Sequence, residues 1–229
     1  MGEAYRPTPI EALGTSARAT FIARTYNHLF GAIILFTLLE VAYFKAGLAE
    51  PMARAMLGVN WLFVLGGFMV VGWLASRFAH TASSLATQYL ALTAFVAAES
   101  IIFVPLLYIA NHYAPGAIES AAAVTLVAFA GLTAIAFWTR KDFSFLGGLL
   151  RWGGILALVA IVAGVIFGFQ LGVWFSVAMV GFAGAAILYD TSNIMRSFPE
   201  DRYVSAALQL FASVALMFWY VLRIFISRD

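Results

Sequence analysis

Three acidic side chains stand inside stretches that are otherwise hydrocarbon. Asp190 ends a run from Gly168 to Tyr189 that holds no other charged residue. An aspartate at the centre of a membrane helix costs roughly 2.5–3.5 kcal/mol on insertion scales, so an acid retained there is a candidate working group. A short loop, Met195 to Arg202, follows it. The next apolar run carries Ser205, Gln209, Ser213 and Tyr220 at spacings that put them on one helical face. The pattern sets one buried acid against one polar stripe, which allows hydrogen bonding and proton movement within the bilayer.

Arg77 is the partner the sequence offers to that acid. It closes the second apolar stretch, whose direction places it at the same inner depth as Asp190. A half-buried Arg–Asp pair there would latch two helices together and favour the ionised carboxylate. Glu40 and Glu99 each lie about fifteen residues into a span that starts inside, roughly 20–22 Å from the inner side. Matching depth suggests a shared polar path in the outer half. The structural alternatives are an Asp190 solvated at the inner interface, a Glu40 at the outer one and a Glu99 satisfied by a neighbouring helix.

Other chemistry finds little footing. The chain has no cysteine, which removes disulfides and thiolate nucleophiles. His28, His80 and His112 lack ligand spacing and read as interface residues, so no metal site or cofactor is expected. No nucleophile–base pair, phosphate loop or zinc-protease motif is present, so the chain does not read as an enzyme.

These residues must be held by helices in a membrane. Of the 229 residues, 63% are hydrophobic and 10% charged, and mean hydropathy is +0.94; soluble domains carry about 25% charge. The expected fold is all-α, a polytopic bundle of seven spans: Tyr26–Ala46, Asn60–Ser76, Leu85–Ile109, Ile118–Trp138, Leu149–Phe167, Leu171–Asn193 and Tyr203–Ile226. Residues 1–24 form a short cytoplasmic tail and residues 25–229 the membrane domain. The tail lacks the apolar core of a cleavable signal, and helical patterning starts at Thr15, with Thr15 or Ser16 as cap. Pro7-Thr8-Pro9 reads as extended or disordered. Small-residue pairs at Gly164/Gly168, Gly168/Gly172 and Gly181/Ala185 suggest close helix approach.

Orientation follows from basic residues. With the N-terminus inside, the inner segments hold nine: Arg6, Arg18, Arg24, Arg77, Arg140, Lys141, Arg151, Arg196 and Arg202. The outer segments hold four, Lys45, Arg54, Arg223 and Arg228. The bias places the N-terminus in the cytoplasm and the C-terminus across the membrane. The scatter of basic residues at span ends explains the pI of 9.0 without nucleic acid as a partner.

The stretch Ile187-Leu188-Tyr189-Asp190-Thr191-Ser192-Asn193-Ile194, with Tyr203-Val204-x-Ala206-Ala207-Leu208-x-Leu210-Phe211, resembles the paired final helices of the Bax inhibitor-1 family. Arg140-Lys141-Asp142-Phe143-Ser144-Phe145-Leu146 is similar to that family's loop between its fourth and fifth helices, and Arg24-Thr25-Tyr26 also fits. The closing Ile226-Ser227-Arg228-Asp229 resembles the bacterial YccA-like branch. The resemblance implies six helices around a central seventh. It also implies a pH-sensitive calcium leak, with calcium as the transported ion, two aspartates sharing a proton and an arginine competing for one. Asp190 matches the first aspartate and Arg77 is the candidate arginine; Ser213 stands where the second aspartate is expected. For the YccA-like branch it implies instead an inner-membrane protein that restrains a membrane-anchored AAA+ protease in membrane-protein quality control.

Overall fold

A computed structural model describes residues 8–81 and 84–227, with side chains at all of these except 79–81. Seven helices are long and apolar enough to cross a bilayer. In chain order the helices are α1 Thr15–Lys45, α2 Ala49–Leu57, α3 Trp61–Thr81, α4 Leu85–Tyr113, α5 Ala117–Thr139, α6 Leu146–Phe167, α7 Gly172–Arg196 and α8 Tyr203–Ile226. All but α2 are spans. Their outer faces are apolar where a soluble protein would be polar: Phe63, Trp138, Trp152 and Trp174 all stand exposed. The three tryptophans sit near helix ends, the depth of a bilayer's interfaces.

The last helix is central. α8 packs against α1, α3, α4, α5 and α7, whereas α6 reaches the bundle through α7 and α3. The reason lies in the side chains of α8. Ser205, Ala206, Ala207, Ser213 and Ala215 are all buried, and small residues let neighbouring backbones approach where no hydrophobic drive acts between helices in lipid. Enclosure is shared with α4: 61% of its most apolar stretch is buried, against 50% for α8 and 22% or less for the other spans. Phe103 of α4 stacks on Phe218 of α8, ring centroids 5.6 Å apart, and meets Trp219 edge-on at 4.9 Å.

Three local features depart from the expected pattern. The helix at Thr15 begins as expected, but its cap is the extended Gly14, with no side-chain cap bond. Close approach between α6 and α7 falls at Gly147 and Gly153, where an added Cβ would stand 3.0 Å from Tyr189 and 2.9 Å from Phe182. Gly181 has open space around it; Gly168 and Gly172 instead take positive φ, 73° and 65°, and turn the chain between the two helices. Finally, α2 lies in a stretch expected to be loop, and Ala49 and Ala53 bury against Val104 of α4.

The segment before α1 packs on the end of the bundle that carries the α7–α8 loop. Pro9 is extended and bridges Pro199, Ile10 N–H donates to the Phe198 carbonyl at 2.9 Å, and the Ile10 side chain is fully buried. Pro7 lies outside the described residues. This contact places residue 10 beside the α7–α8 loop, at the opposite end of the bundle from the C-terminus of α8.

Candidate functional site

Four consecutive residues at the end of α7 each serve a different neighbour. Asp190 is 3% exposed and turns toward α8. Its Oδ1 accepts from Gln209 Nε2 at 2.6 Å and its Oδ2 accepts from Ser213 Oγ at 2.5 Å. Gln209 and Ser213 are four residues apart and so stack on one face of α8, matching the two oxygens of a single carboxylate. Thr191 is fully buried on the other side, where the Tyr26 hydroxyl of α1 faces Thr133 of α5 and Thr191. These three hydroxyl groups are buried together between α1, α5 and α7. Ser192 Oγ accepts from Phe143 N–H in the α5–α6 loop at 3.1 Å. The Asn193 carbonyl receives both Ser197 and Phe198 N–H and so terminates the helix.

The loop that Ser192 holds is itself organised by charge. Asp142 Oδ1 accepts from Ser144 N–H at 2.8 Å, and these hydrogen bonds hold the Asp142 carboxyl below the usual carboxylate range. Arg140 takes a left-handed conformation, φ 50°, which costs a non-glycine residue about 1–2 kcal/mol. Its carbonyl accepts from the Arg196 guanidinium, which also lies 3.9 Å from Glu11. Arg18 donates to the Met195 carbonyl at 3.3 Å. Positive charge thus collects at the C-terminus of α7, where the helix dipole favours it. Replacing Ser192 with Ala should remove the loop's tether to α7. The expected result is faster hydrogen exchange at the Phe143 amide, by about tenfold, with the melting temperature little changed; one such loop bond is worth about 1 kcal/mol.

The polar stripe of α8 divides at Ser205. Gln209 and Ser213 face Asp190 as expected, but Ser205 Oγ donates to Gln88 Oε1 of α4 at 3.2 Å. Gln88 Nε2 donates in turn to the Asp201 carbonyl at 3.1 Å. Gln88 therefore clips α4 to the α7–α8 loop, a role the sequence did not separate from its helical face with Glu99. Ser205 lies eight residues before Ser213, about 12 Å along the axis, below the level of Asp190.

The expected pairing of Arg77 with Asp190 is not formed. The α3 helix packs on α2, α4, α6 and α8 and makes no contact with α7. The Arg77 guanidinium sits 5.4 Å from the Trp73 ring centroid on the exposed side of its helix. The sequence aligned the two residues by depth alone, and the helices that carry them are not neighbours. The Asp190 oxygens are held by neutral donors instead.

Glu40 and Glu99 also part company. Each is buried, 7% exposed. Glu99 lines a cavity of about 630 Å³ toward the C-terminal end of α8, with Trp61, Phe103, Gln170, Tyr220 and Arg223. Glu40 lines a second cavity of about 510 Å³, with Phe36, Lys45, Asn111 and Phe218. The Phe103–Phe218 stack stands between them, one ring lining each cavity. The two acids thus line different cavities, which share Ala215 as a wall residue.

Two of the three histidines have aromatic and backbone partners. His28 Nδ1 lies 2.6 Å from the Arg24 carbonyl and must donate to it, so Nε2 accepts from the Tyr89 hydroxyl at 2.7 Å. His112 Nδ1 lies 3.0 Å from the Tyr108 carbonyl. The His80 side chain is outside the described residues. No group of three or more metal-ligating side chains occurs among the described residues.

A protein of Pseudomonas aeruginosa with no assigned function is 34% identical over 171 residues, 72% of this chain and 74% of its own length. The Escherichia coli protein named modulator of FtsH protease YccA is 35% identical over 108 residues, 46% of this chain and 49% of the relative. The Arabidopsis thaliana protein LIFEGUARD 4 is 34% identical over 120 residues, 49% of this chain and 47% of the relative. The matched stretch thus spans about half the length of the relatives that carry descriptive names. The model of the family described as inhibitor of apoptosis-promoting Bax1 matches residues 18–229, from the first helix through the Asp190 clasp to the end of α8, and the chain belongs to the Bax inhibitor-1 family.

Proposed function

We propose that this chain is a membrane-embedded regulator that binds a membrane-anchored AAA+ protease and modulates its action on membrane proteins. The observation that carries this reading is the neutral clasp at Asp190. Both carboxylate oxygens are occupied by Gln209 and Ser213 of α8. A leak gated by a proton shared between two acids needs a second acid, and Ser213 occupies that place. The clasp instead fixes α7 to the central helix, as a scaffold for protein contact requires. The name of the Escherichia coli relative, modulator of FtsH protease, supports the same reading. The basic-residue bias supports a cytoplasmic position for the α7–α8 loop and the Ile10 plug.

The test is purification of the tagged chain from native membranes in a mild detergent. The expected result is enrichment of the membrane's AAA+ protease, and slowed turnover of a membrane substrate when the purified chain is added to that protease. Absence of both would overturn the reading. A calcium leak is the second reading, favoured by the Glu99-lined cavity toward the C-terminal end of α8. It requires calcium flux in proteoliposomes that falls on Glu99→Gln; equal flux in protein-free liposomes would remove it.

A further inference from the structure

The second cavity has features that neither reading uses. It lies between α1, α4, α5 and α8. The backbones of α1 and α5 make no close contact; the two helices meet toward the end that carries the α7–α8 loop, where Tyr26 packs on Phe129 and Phe137. The space they leave above that point is the cavity, and Val41 and Leu126, both exposed, flank its mouth. The mouth therefore faces the hydrocarbon of the bilayer.

The walls are apolar and aromatic, with Phe36, Phe44, Phe211 and Phe218 among them. Against these walls stands Glu40, 7% exposed, with neither carboxyl oxygen hydrogen-bonded in the protein. Thr125 Oγ1, also buried and lining the cavity, is likewise without a partner. Lys45 lines the same cavity, yet no ion pair joins it to Glu40 among the described residues. An ionised carboxyl group buried without a partner is costly, and the cost is relieved by a proton or by an occupant that brings a positive charge.

The occupant's chemistry follows from what the cavity offers. Calcium takes six to eight oxygens and magnesium near-ideal octahedral geometry; one carboxylate and scattered hydroxyls do not supply either. A lipid acyl chain would fill the apolar volume and leave Glu40 unmatched. An organic cation satisfies both, because phenylalanine faces attract a cation as well as apolar groups, and a pocket of this size suits a small molecule. We propose that this cavity binds a lipophilic organic cation from the bilayer, its ammonium or phosphonium centre against Glu40 and its apolar groups against the phenylalanines. The proposal is independent of the protease reading, since the clasp at Asp190 takes no part in it.

The probe is tetraphenylphosphonium, titrated by equilibrium dialysis against the full chain in phosphatidylcholine nanodiscs. Saturable binding at one site per chain, above that of empty nanodiscs, is expected. Dodecyltrimethylammonium should displace it, and neutral dodecyl maltoside should not. Glu40→Gln should weaken binding by about tenfold or more. Ala122→Phe, which fills the cavity without altering the acid, should also abolish it. Binding no greater than in empty nanodiscs would overturn the proposal. So would unchanged affinity in a folded Glu40→Gln protein, or equal displacement by the neutral detergent, which would mark an apolar lipid site. Should both variants fail to fold, the charge selectivity of displacement in the wild type decides alone.

Discussion

Replacing Asp190 with Ala should lower the thermal midpoint of the detergent-solubilised protein by about 5–10 °C, while Asn should leave it near wild type. The expectation rests on what the carboxylate does. It accepts one hydrogen bond from Gln209 and one from Ser213, and it is buried between the two helices that pack most closely. Alanine leaves both donors facing an apolar gap. Each unsatisfied buried donor costs about 1–3 kcal/mol, and hydrogen bonds between membrane helices average about 0.6 kcal/mol, with a maximum near 1.7. A total of about 2–4 kcal/mol is expected, at about 2–4 °C per kcal/mol for a chain of this size. Asparagine keeps an oxygen for Gln209 and presents an N–H₂ to Ser213, whose hydroxyl can turn to accept. Its cost should stay within about 1 kcal/mol. The measurement is a tryptophan-fluorescence melt of the three proteins. Asn as damaging as Ala would mean that the negative charge itself matters and that a cation partners Asp190.

The sequence located depth and could not locate azimuth. Apolar runs mark where the chain crosses, and each span counts off height at 1.5 Å per residue. That was enough to find seven spans, to single out the stretch around Asp190 and to align Gln209 and Ser213 with it. It also put Arg77 level with Asp190, and Glu40 level with Glu99. Which side of the bundle a residue faces depends on which helices are neighbours, and helical spacing within one span does not encode that. α3 packs away from α7, so Arg77 misses Asp190; α4 and α8 meet through Phe103 and Phe218, so Glu40 and Glu99 face different cavities. The four residues of the Asp190 stretch show the same limit. Their types announced a polar site in an apolar helix, but Ser192 to a loop, Thr191 toward α1 and α5, and Asp190 to α8 follow only from the packing. The short α2 was missed for another reason. Nine residues containing Pro51 at the third position are too few for a span, and their two buried alanines leave a faint apolar stripe.

The largest change of behaviour should come from adding a second acid to the clasp. Ser213 Oγ lies 2.5 Å from Asp190 Oδ2, so Ser213→Asp would set two carboxyl groups in direct contact. With one proton between them, the pair can hold a short hydrogen bond and α7 stays on α8. With both ionised, two unit charges about 4 Å apart repel by about 4 kcal/mol at an effective dielectric constant of 20. Gln209 can donate to one of them and cannot offset that repulsion. The variant should therefore melt close to wild type in acid and lose about 8 °C or more as pH rises and the shared proton leaves, the two protons coming off as properties of the pair. The wild type should lose less over the same range, because Gln209 and Ser213 both donate to its single carboxyl group and no second charge repels it. Thermal melts of both proteins from pH 5 to pH 9, each point with a matched Ser213→Asn control, separate the effect of charge from that of volume. A parallel decline of Ser213→Asn and Ser213→Asp with pH would assign the response to crowding or to another group. If calcium flux in proteoliposomes appears in Ser213→Asp alone and follows the same pH range, the hydroxyl at position 213 is what keeps this chain closed.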